Sequence, residues 1–144
     1  MQPLHKNAQE WFEKAEHDLA TAKAAKSIRV YDTALFHCQQ AAEKAIKGFL
    51  TFHDIEFEKN HNMVNHLKKA ITVESSFELW QEAVVILTNY AVLPRYPGNY
   101  VEVNSKAYTT AFKYAKRIYD HALSVLPKDL HPRKLKAGKS KRKK

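Results

Sequence analysis

One stretch concentrates residue types suited to gripping an anion. Leu93-Pro94-Arg95-Tyr96-Pro97-Gly98-Asn99-Tyr100 carries two prolines, a glycine and two tyrosines around one arginine. The prolines stiffen the backbone and hold Arg95 between them. A guanidinium fixed beside aromatic rings suits a planar anion such as a phosphate or carboxylate. A plainer reading has the tyrosines pack the loop on neighbouring helices while Arg95 pairs with Asp18 or Glu43. Asp18 is also open to two readings: a rim carboxylate paired with a neighbour, or an acid pointing into a cleft. The eight histidines do not form a metal site by spacing. There is no His-Glu-x-x-His, and His61 and His66 are five apart, so they leave a helix on different sides. Three scattered glycines exclude a glycine-rich phosphate loop. No serine or cysteine nucleophile stands in a recognisable motif with a base. No cofactor and no metal are expected.

The elements that must position these groups are helical throughout. From about Val30 to His53 apolar or small residues recur at Tyr31, Leu35, Cys38, Ala42, Ala45, Ile46, Phe49 and Phe52. That is the 3.6-residue period of an amphipathic helix. Ala34, Ala41, Ala45 and Gly48 form a small-residue flank that admits a close neighbour, a reason to accept the glycine's cost of about 1 kcal/mol. The opposite face carries Thr33, Phe36, Gln40, Glu43 and Lys47. Glu43 and Lys47 read as an i,i+4 pair worth a few tenths of a kcal/mol. A first helix spans about Asn7–Ala25, capped by Asn7, with Ala8, Trp11, Phe12, Ala15, Leu19 and Ala22 inward. A third spans about His61–Ile71, capped by Asn60. A fourth spans about Phe77–Val92 and stops at Pro94. A fifth spans about Asn104–Leu126. No strand pattern and no internal repeat occur.

The net charge of +9 on 144 residues is unevenly placed. From Pro127 onward nine Lys or Arg face a single Asp, so the body is nearly neutral. Residues 1–126 therefore read as one helical domain, and 127–144 as a basic tail with almost nothing to build a core, expected to be disordered. Such a tail is either a solvated extension or a phosphate-seeking arm for nucleic acid. The single cysteine, Cys38, lies on the apolar stripe, which excludes a disulfide framework and fits a reducing compartment. No apolar run approaches a membrane span and no signal peptide is visible, so a soluble cytoplasmic chain with no membrane partner is expected.

Gln39-Gln40-Ala41-Ala42-Glu43-Lys44-Ala45-Ile46-Lys47 resembles the second-helix signature of HEPN domains. Trp11 with Ala15, Asp18-Leu19 and Ala22 is similar to that family's first helix, and His61 with Leu67 to its third. Arg95-Tyr96-Pro97 matches the loop after its fourth. The resemblance covers about Ala8–Leu126. It implies an all-α fold, an antiparallel up-and-down bundle of four to five helices that usually dimerises. It also implies a nucleotide- or nucleic-acid-binding role, often in a toxin–antitoxin pair with a minimal nucleotidyltransferase. One branch of the family cuts RNA without metal, using an arginine, four to six intervening residues and then a histidine.

This chain departs from that branch: the corresponding positions hold Tyr100, Val101 and Glu102. A tyrosine, with a reference pKa of about 10, is a poor general base near neutrality. The leading expectation is accordingly a homodimeric binding module, with a nucleotidyltransferase as possible partner and a nucleotide or RNA as ligand. Its expected ligand-binding residues are Arg95, Tyr96, Tyr100, Lys44, Lys47, Gln40, Glu43 and Asp18. Arg95 and Lys47 would meet phosphate, and a tyrosine would stack on a base. No catalytic residue is assigned. The alternatives are a divergent metal-independent RNase toxin lacking the usual histidine, and a purely structural assembly protein.

Overall fold

The computed structural model describes residues 3–60, 62–92 and 103–132. Five α-helices account for most of them: α1 (Pro3–Ser27), α2 (Tyr31–Phe52), α3 (Met63–Val73), α4 (Gln81–Val92) and α5 (Ser105–Ser124). The described residues contain no strand, so the all-helical bundle expected from the periodicity is the fold observed. The helix α1 begins at Pro3, four residues before the expected cap, and Asn7 lies inside it. Proline is tolerated in a first helical turn, where its missing N–H has no partner to lose.

The joints are built by specific backbone devices. At the end of α1, Val30 N–H bonds the Ala25 carbonyl at 2.9 Å and Arg29 N–H bonds that of Lys26 at 2.9 Å. After α2, Ile55 N–H bonds Leu50 and Asp54 N–H bonds Thr51, each at 3.0 Å. Both are Schellman motifs, which need a left-handed residue in the penultimate position. Arg29 (φ 63°) and Asp54 (φ 56°) fill it without being glycine. The cap of α3 is Asn62, whose side chain accepts from Asn65 N–H; the expected cap, Asn60, instead accepts from Asn62 N–H. The expected start of the fourth helix at Phe77 falls within a 3-10 turn, Ser75–Trp80, and the α-helix proper begins at Gln81. Asn104 caps α5, its Oδ1 2.8 Å from Ala107 N–H.

The helix α2 is the axis of the bundle, and α1 lies antiparallel to it. His5 meets Phe52 near one end, with ring centroids 4.9 Å apart, while Asp18 reaches His37 and Lys44 further along. α5 runs antiparallel to α1, since Phe12 packs on Tyr119 and Lys23 covers Phe112. α4 returns against α5, with Trp80 beside His121 and Tyr90 near Ala107. The core is the predicted stripe: Leu35, Cys38, Ala42, Ile46 and Phe49 of α2 are all buried, with Phe12, Phe77, Leu87 and Ile118 around them. Burial pushes the Cys38 thiol up to about 12, which leaves it an inert core group. The 3-10 turn is tied to α5 by Ser76 Oγ, 2.8 Å from Glu74 Oε2 and 2.9 Å from His121 Nε2.

The packed chain runs past residue 126. Leu130, within the segment expected to lack core residues, is fully buried. His131 Nε2–H donates to the Leu123 carbonyl at 2.9 Å and pins the turn Lys128–Leu130 to the end of α5. Residues 133–144 lie outside the described residues.

The small flank of α2 has the purpose its composition suggests. A Cβ built on Gly48 would stand 2.7 Å from Phe12 Cε2. Real carbon contacts do not come that close, so the glycine is what lets the α1 ring meet the α2 backbone. Gly48→Ala gains about 1 kcal/mol of helix propensity and loses about 1–3 kcal/mol to overpacking. A net lowering of the urea midpoint is expected, and Phe12→Leu in the same chain should recover part of it.

Candidate functional site

The candidate site is the face of α2 that the apolar stripe leaves over. Asp18 of α1 is 6 % exposed and bridges two residues of α2. Its Oδ1 accepts from His37 Nδ1 at 2.7 Å, and its Oδ2 accepts from Lys44 Nζ at 2.6 Å. His37 and Lys44 are two helical turns apart, so they stand in a row on one face. Of the two readings of Asp18, the described structure holds the paired one. Because a carboxylate only accepts, the Nδ1 of His37 carries the proton and Nε2 is left for exchange. The His37 and Lys44 side chains remain 26 % and 24 % exposed. The ring of Phe36, the large apolar residue on the polar face, stands edge-on to His37 with centroids 5.3 Å apart.

One turn round the helix the arrangement is closed. Glu43 is 1 % exposed and Lys47 7 % exposed, and their Oε2 and Nζ are 2.7 Å apart. Gln39 Nε2 donates to Glu43 Oε1 at 2.9 Å. The Lys47 ammonium lies over the rings of Trp11 and Phe57, at 5.4 and 5.7 Å from their centroids. Phe57 belongs to the return segment 53–62, held down by Ile55 N–H on Leu50 and by His66 Nε2–H on the Asn60 carbonyl at 3.2 Å. The pair expected to be an exposed one of small worth is therefore a buried ion pair in an aromatic enclosure. As placed, the Lys47 ammonium is engaged by Glu43 and two ring faces. That geometry does not offer it to a phosphate, because a ligand would have to displace the buried partner first.

Gln40 is half-buried on the same face, between the open cluster and the closed one. Arg95, Tyr96 and Tyr100 lie outside the described residues, as do Pro94 and His61. Residues 93–102 join the end of α4 to the start of α5. Thus His37, Gln40 and Lys44 share an accessible face with the buried Asp18 carboxylate behind it, and Glu43 and Lys47 are closed off from water. The residue that sequence reasoning missed is His37. Its signal was local and visible: a histidine seven residues before Lys44 on the same helical face, with an acid on the preceding helix. Among the described residues no group of three or more His, Cys, Asp or Glu side chains is arranged to hold a metal. No described helix is long and apolar enough to cross a membrane.

The chain belongs to the HEPN domain family, whose sequence model matches residues 8–125. Among individual proteins it is similar to one from the archaeon Methanocaldococcus jannaschii named "Putative toxin MJ1304". The two are 30 % identical over 103 residues, a stretch that spans 66 % of each. Two solved structures share the fold. One is ST0689, described as an archaeal HEPN homologue, with a TM-score of 0.67 and 28 % identity over 81 % of this chain and 95 % of that one. The other is TT1696 from Thermus thermophilus, with a TM-score of 0.72 and 26 % identity over 83 % of this chain and 98 % of that one.

Two measurements test the closed cluster. Glu43→Ala strands a buried ammonium and should cost about 3–5 kcal/mol, while the double change Glu43→Ala/Lys47→Met should cost clearly less. Urea denaturation of wild type, Glu43→Ala, Lys47→Met and the double variant closes the cycle and gives the coupling energy. The second is a pH dependence. Burial holds the imidazole of His66 below its ordinary range, with the Lys47 charge pressing the same way. The folded chain then binds fewer protons than the unfolded one, so this contribution is complete above about pH 6.5 and is lost as pH falls from there towards the folded value. The urea midpoint should drop between pH 7 and pH 5, and less steeply in His66→Gln.

Proposed function

We propose that this HEPN chain acts as a toxin-type module that binds the phosphates of a nucleotide or RNA at the open face of α2. The observation that carries this reading is the Asp18 carboxylate holding His37 and Lys44 side by side with both heads reaching solvent. The carboxylate fixes the imidazole and the ammonium beside one another, and fixed donors are what an anion site needs. Gln40 adds an amide on the same face. Arg95 and its tyrosines, whose chain segment begins at the end of α4, complete the ligand contacts, with Tyr96 or Tyr100 stacking on a base. The toxin named among its relatives supports a role opposed by a partner protein. A homodimer and a nucleotidyltransferase antitoxin belong to this proposal.

The His37–Asp18 pair favours a second reading, metal-independent RNA cleavage. An imidazole oriented through Nδ1 by a carboxylate is the arrangement that keeps Nε2 ready to take and return a proton. Its Nε2 would accept the proton of an RNA 2′-hydroxyl. The 2′-oxygen would bond to the adjacent phosphorus, and the 5′-oxygen would leave with a proton, giving a 2′,3′-cyclic phosphate. Lys44 and Arg95 would balance the charge on phosphorus. In this reading the histidine absent after Arg95 is supplied from α2.

One set of variants separates the readings. Arg95→Ala and Lys44→Ala should each abolish the thermal stabilisation of the chain by nucleotides while leaving its own midpoint within a few degrees. RNA incubated with wild type in EDTA should be cut only under the second reading, and His37→Asn should then remove at least a hundredfold of the rate. Cleavage that survives His37→Asn would sink the second reading. A wild type stabilised by no nucleotide and no oligonucleotide would sink the first.

A further inference from the structure

Two exposed faces of the bundle lie apart from the Asp18 cluster, and each carries what the other lacks. The first is formed by the 3-10 turn and α4. Leu79 is 70 % exposed there and Val85 47 % exposed. Glu78 and Glu82 stand exposed among them, and residues 75–92 contain no Lys, Arg or His. Leu79, Glu82 and Val85 follow at three-residue intervals, so they share one outward side. Val73, at the end of α3 just before the turn, is exposed as well. A surface helix ordinarily keeps its large aliphatic side chains turned to the core. Here they stand out between two acids, which is the mark of a surface that meets a partner.

The second face is the groove of about 470 Å³ between α1 and α5. Leu19, Ala20 and the half-buried Phe112 ring give it an apolar lining. Its charged lining residues are Glu16, Lys23 and Lys116. Glu16 is already engaged, since Tyr119 O–H donates to its Oε2 at 2.7 Å. The Lys23 ammonium stands 5.7 Å from the centroid of Phe112, and Lys116 makes a water-exposed pair with Asp120 at 2.7 Å. Lys113 and Arg117 are exposed beside it on α5. The face thus sets Lys23, Lys113, Lys116 and Arg117 against Glu16 and Asp120.

We infer that the groove between α1 and α5 receives the Leu79–Val85 face of a second copy of this chain. Charge selects that pairing. α4 laid on α4 would set Glu78 and Glu82 against their own equivalents, and groove on groove would set lysines against lysines. Like charges juxtaposed across an interface disfavour it, and opposite ones fix its register. Crossed, the two acids meet Lys23 and Lys116 while Leu79 meets Leu19 and Phe112. The lengths agree too. Glu16 to Lys23 and Phe112 to Tyr119 each rise about 10.5 Å along their helices, two turns, which is what Leu79 to Ile86 offers. Both faces are exposed, so neither covers the other within one chain. An unrelated acidic helix would fill the groove but leave Leu79 and Val85 bare, whereas a second copy accounts for both. Made twice about a two-fold axis, the contact closes a dimer; made once per copy, it builds a ring or a filament. The inference names a surface for the homodimer of the proposed function and rests on none of its ligand contacts.

The test is the molar mass of the full-length chain in solution, read by light scattering at rising concentration. Wild type should exceed the monomer mass of 16.6 kDa. Lys23→Glu/Lys116→Glu and Glu78→Lys/Glu82→Lys should each weaken association by about tenfold or more. An equimolar mixture of these two variants should recover it to within about threefold of wild type, because each reversed face then finds its complement. All four changes in one chain should do the same. Ala20→Trp, which fills the groove without altering charge, should weaken association as the lysine reversals do. All five positions are exposed, so the helices should stand. Circular dichroism checks this, and Leu79→Gln serves in place of a charge reversal that does not fold.

A wild type that stays at monomer mass up to its solubility would overturn the contact. If either charge variant keeps the wild-type mass, the homodimer is made elsewhere on the chain and this surface is wrong. Association lost in both variants and not recovered on mixing would also overturn it, since the two faces would then not meet each other. Lys44→Ala should leave the mass unchanged, so the ligand reading and this contact fail separately.

Discussion

The Phe12 ring occupies the place where a side chain at residue 48 would begin. That contact sets how near α1 comes to α2, and the rest of the bundle is arranged around it. With Ala34, Ala41 and Ala45 along the same flank, the two helices approach closely over much of their length. Only at that separation can a short aspartate on α1 reach across to His37 and Lys44. The apolar stripe of α2 is consequently turned to α4 and α5, and the His37–Lys44 part of its polar face to solvent. A small-residue seam is thus the precondition for the polar cluster, which no single helix could assemble.

The two ion clusters on α2 behave differently because their surroundings differ. Asp18 is enclosed, but its partners reach water, so each can exchange a proton or meet a ligand. Glu43 and Lys47 have been removed from water, and their mutual attraction is supplemented by Gln39 and by two ring faces. Taking two charges out of solvent is costly, and such pairs add little to stability unless their geometry is complete. What they do well is specify arrangement. Lys47 has a place only if Trp11 of α1 and Phe57 of the return segment both close over it, so the pair registers three parts of the chain against one another. His66, bonded to the Asn60 carbonyl, holds the lid of that enclosure and makes it sensitive to acid.

The bundle also separates its charges by distance. The cations of α1 and α2 are matched by acids on the same helices, which leaves the middle of the molecule nearly neutral. Unmatched cations lie on α3, as Lys68 and Lys69, and along α5, and residues 133–144 carry eight more. The anchor ahead of those residues, Leu130, is a single apolar residue in a basic stretch. Its burial carries the packed domain several residues beyond the last predicted helix, because an isolated leucine gives no periodic signal and is placed only by the pocket that receives it.

Much of this was legible in the residues. The 3.6-residue period marked every helix, the Gln-Gln-Ala-Ala-Glu-Lys signature marked the family, and Gly48 among alanines marked the close approach. Helix starts were less legible: Asn7 and Asn60 have the chemistry of caps, yet Pro3 and Asn62 mark where the helices begin. Caps compete locally: of Asn60 and Asn62, two residues apart, the second caps the helix and the first accepts from its N–H. The face of α2 was identified, but not its partition. Wheel position alone cannot tell Lys44 from Lys47, since both lie off the apolar stripe of one helix. Sequence by itself determined what depends on neighbours within a few turns: helix, stripe and seam. Only the tertiary structure decided what depends on residues brought together from different segments, namely that Asp18, 19 positions away, orients His37 and that Phe57, beyond the end of α2, covers Lys47. The reason is that burial and charge pairing are set by what covers a side chain, and the covering groups come from other helices.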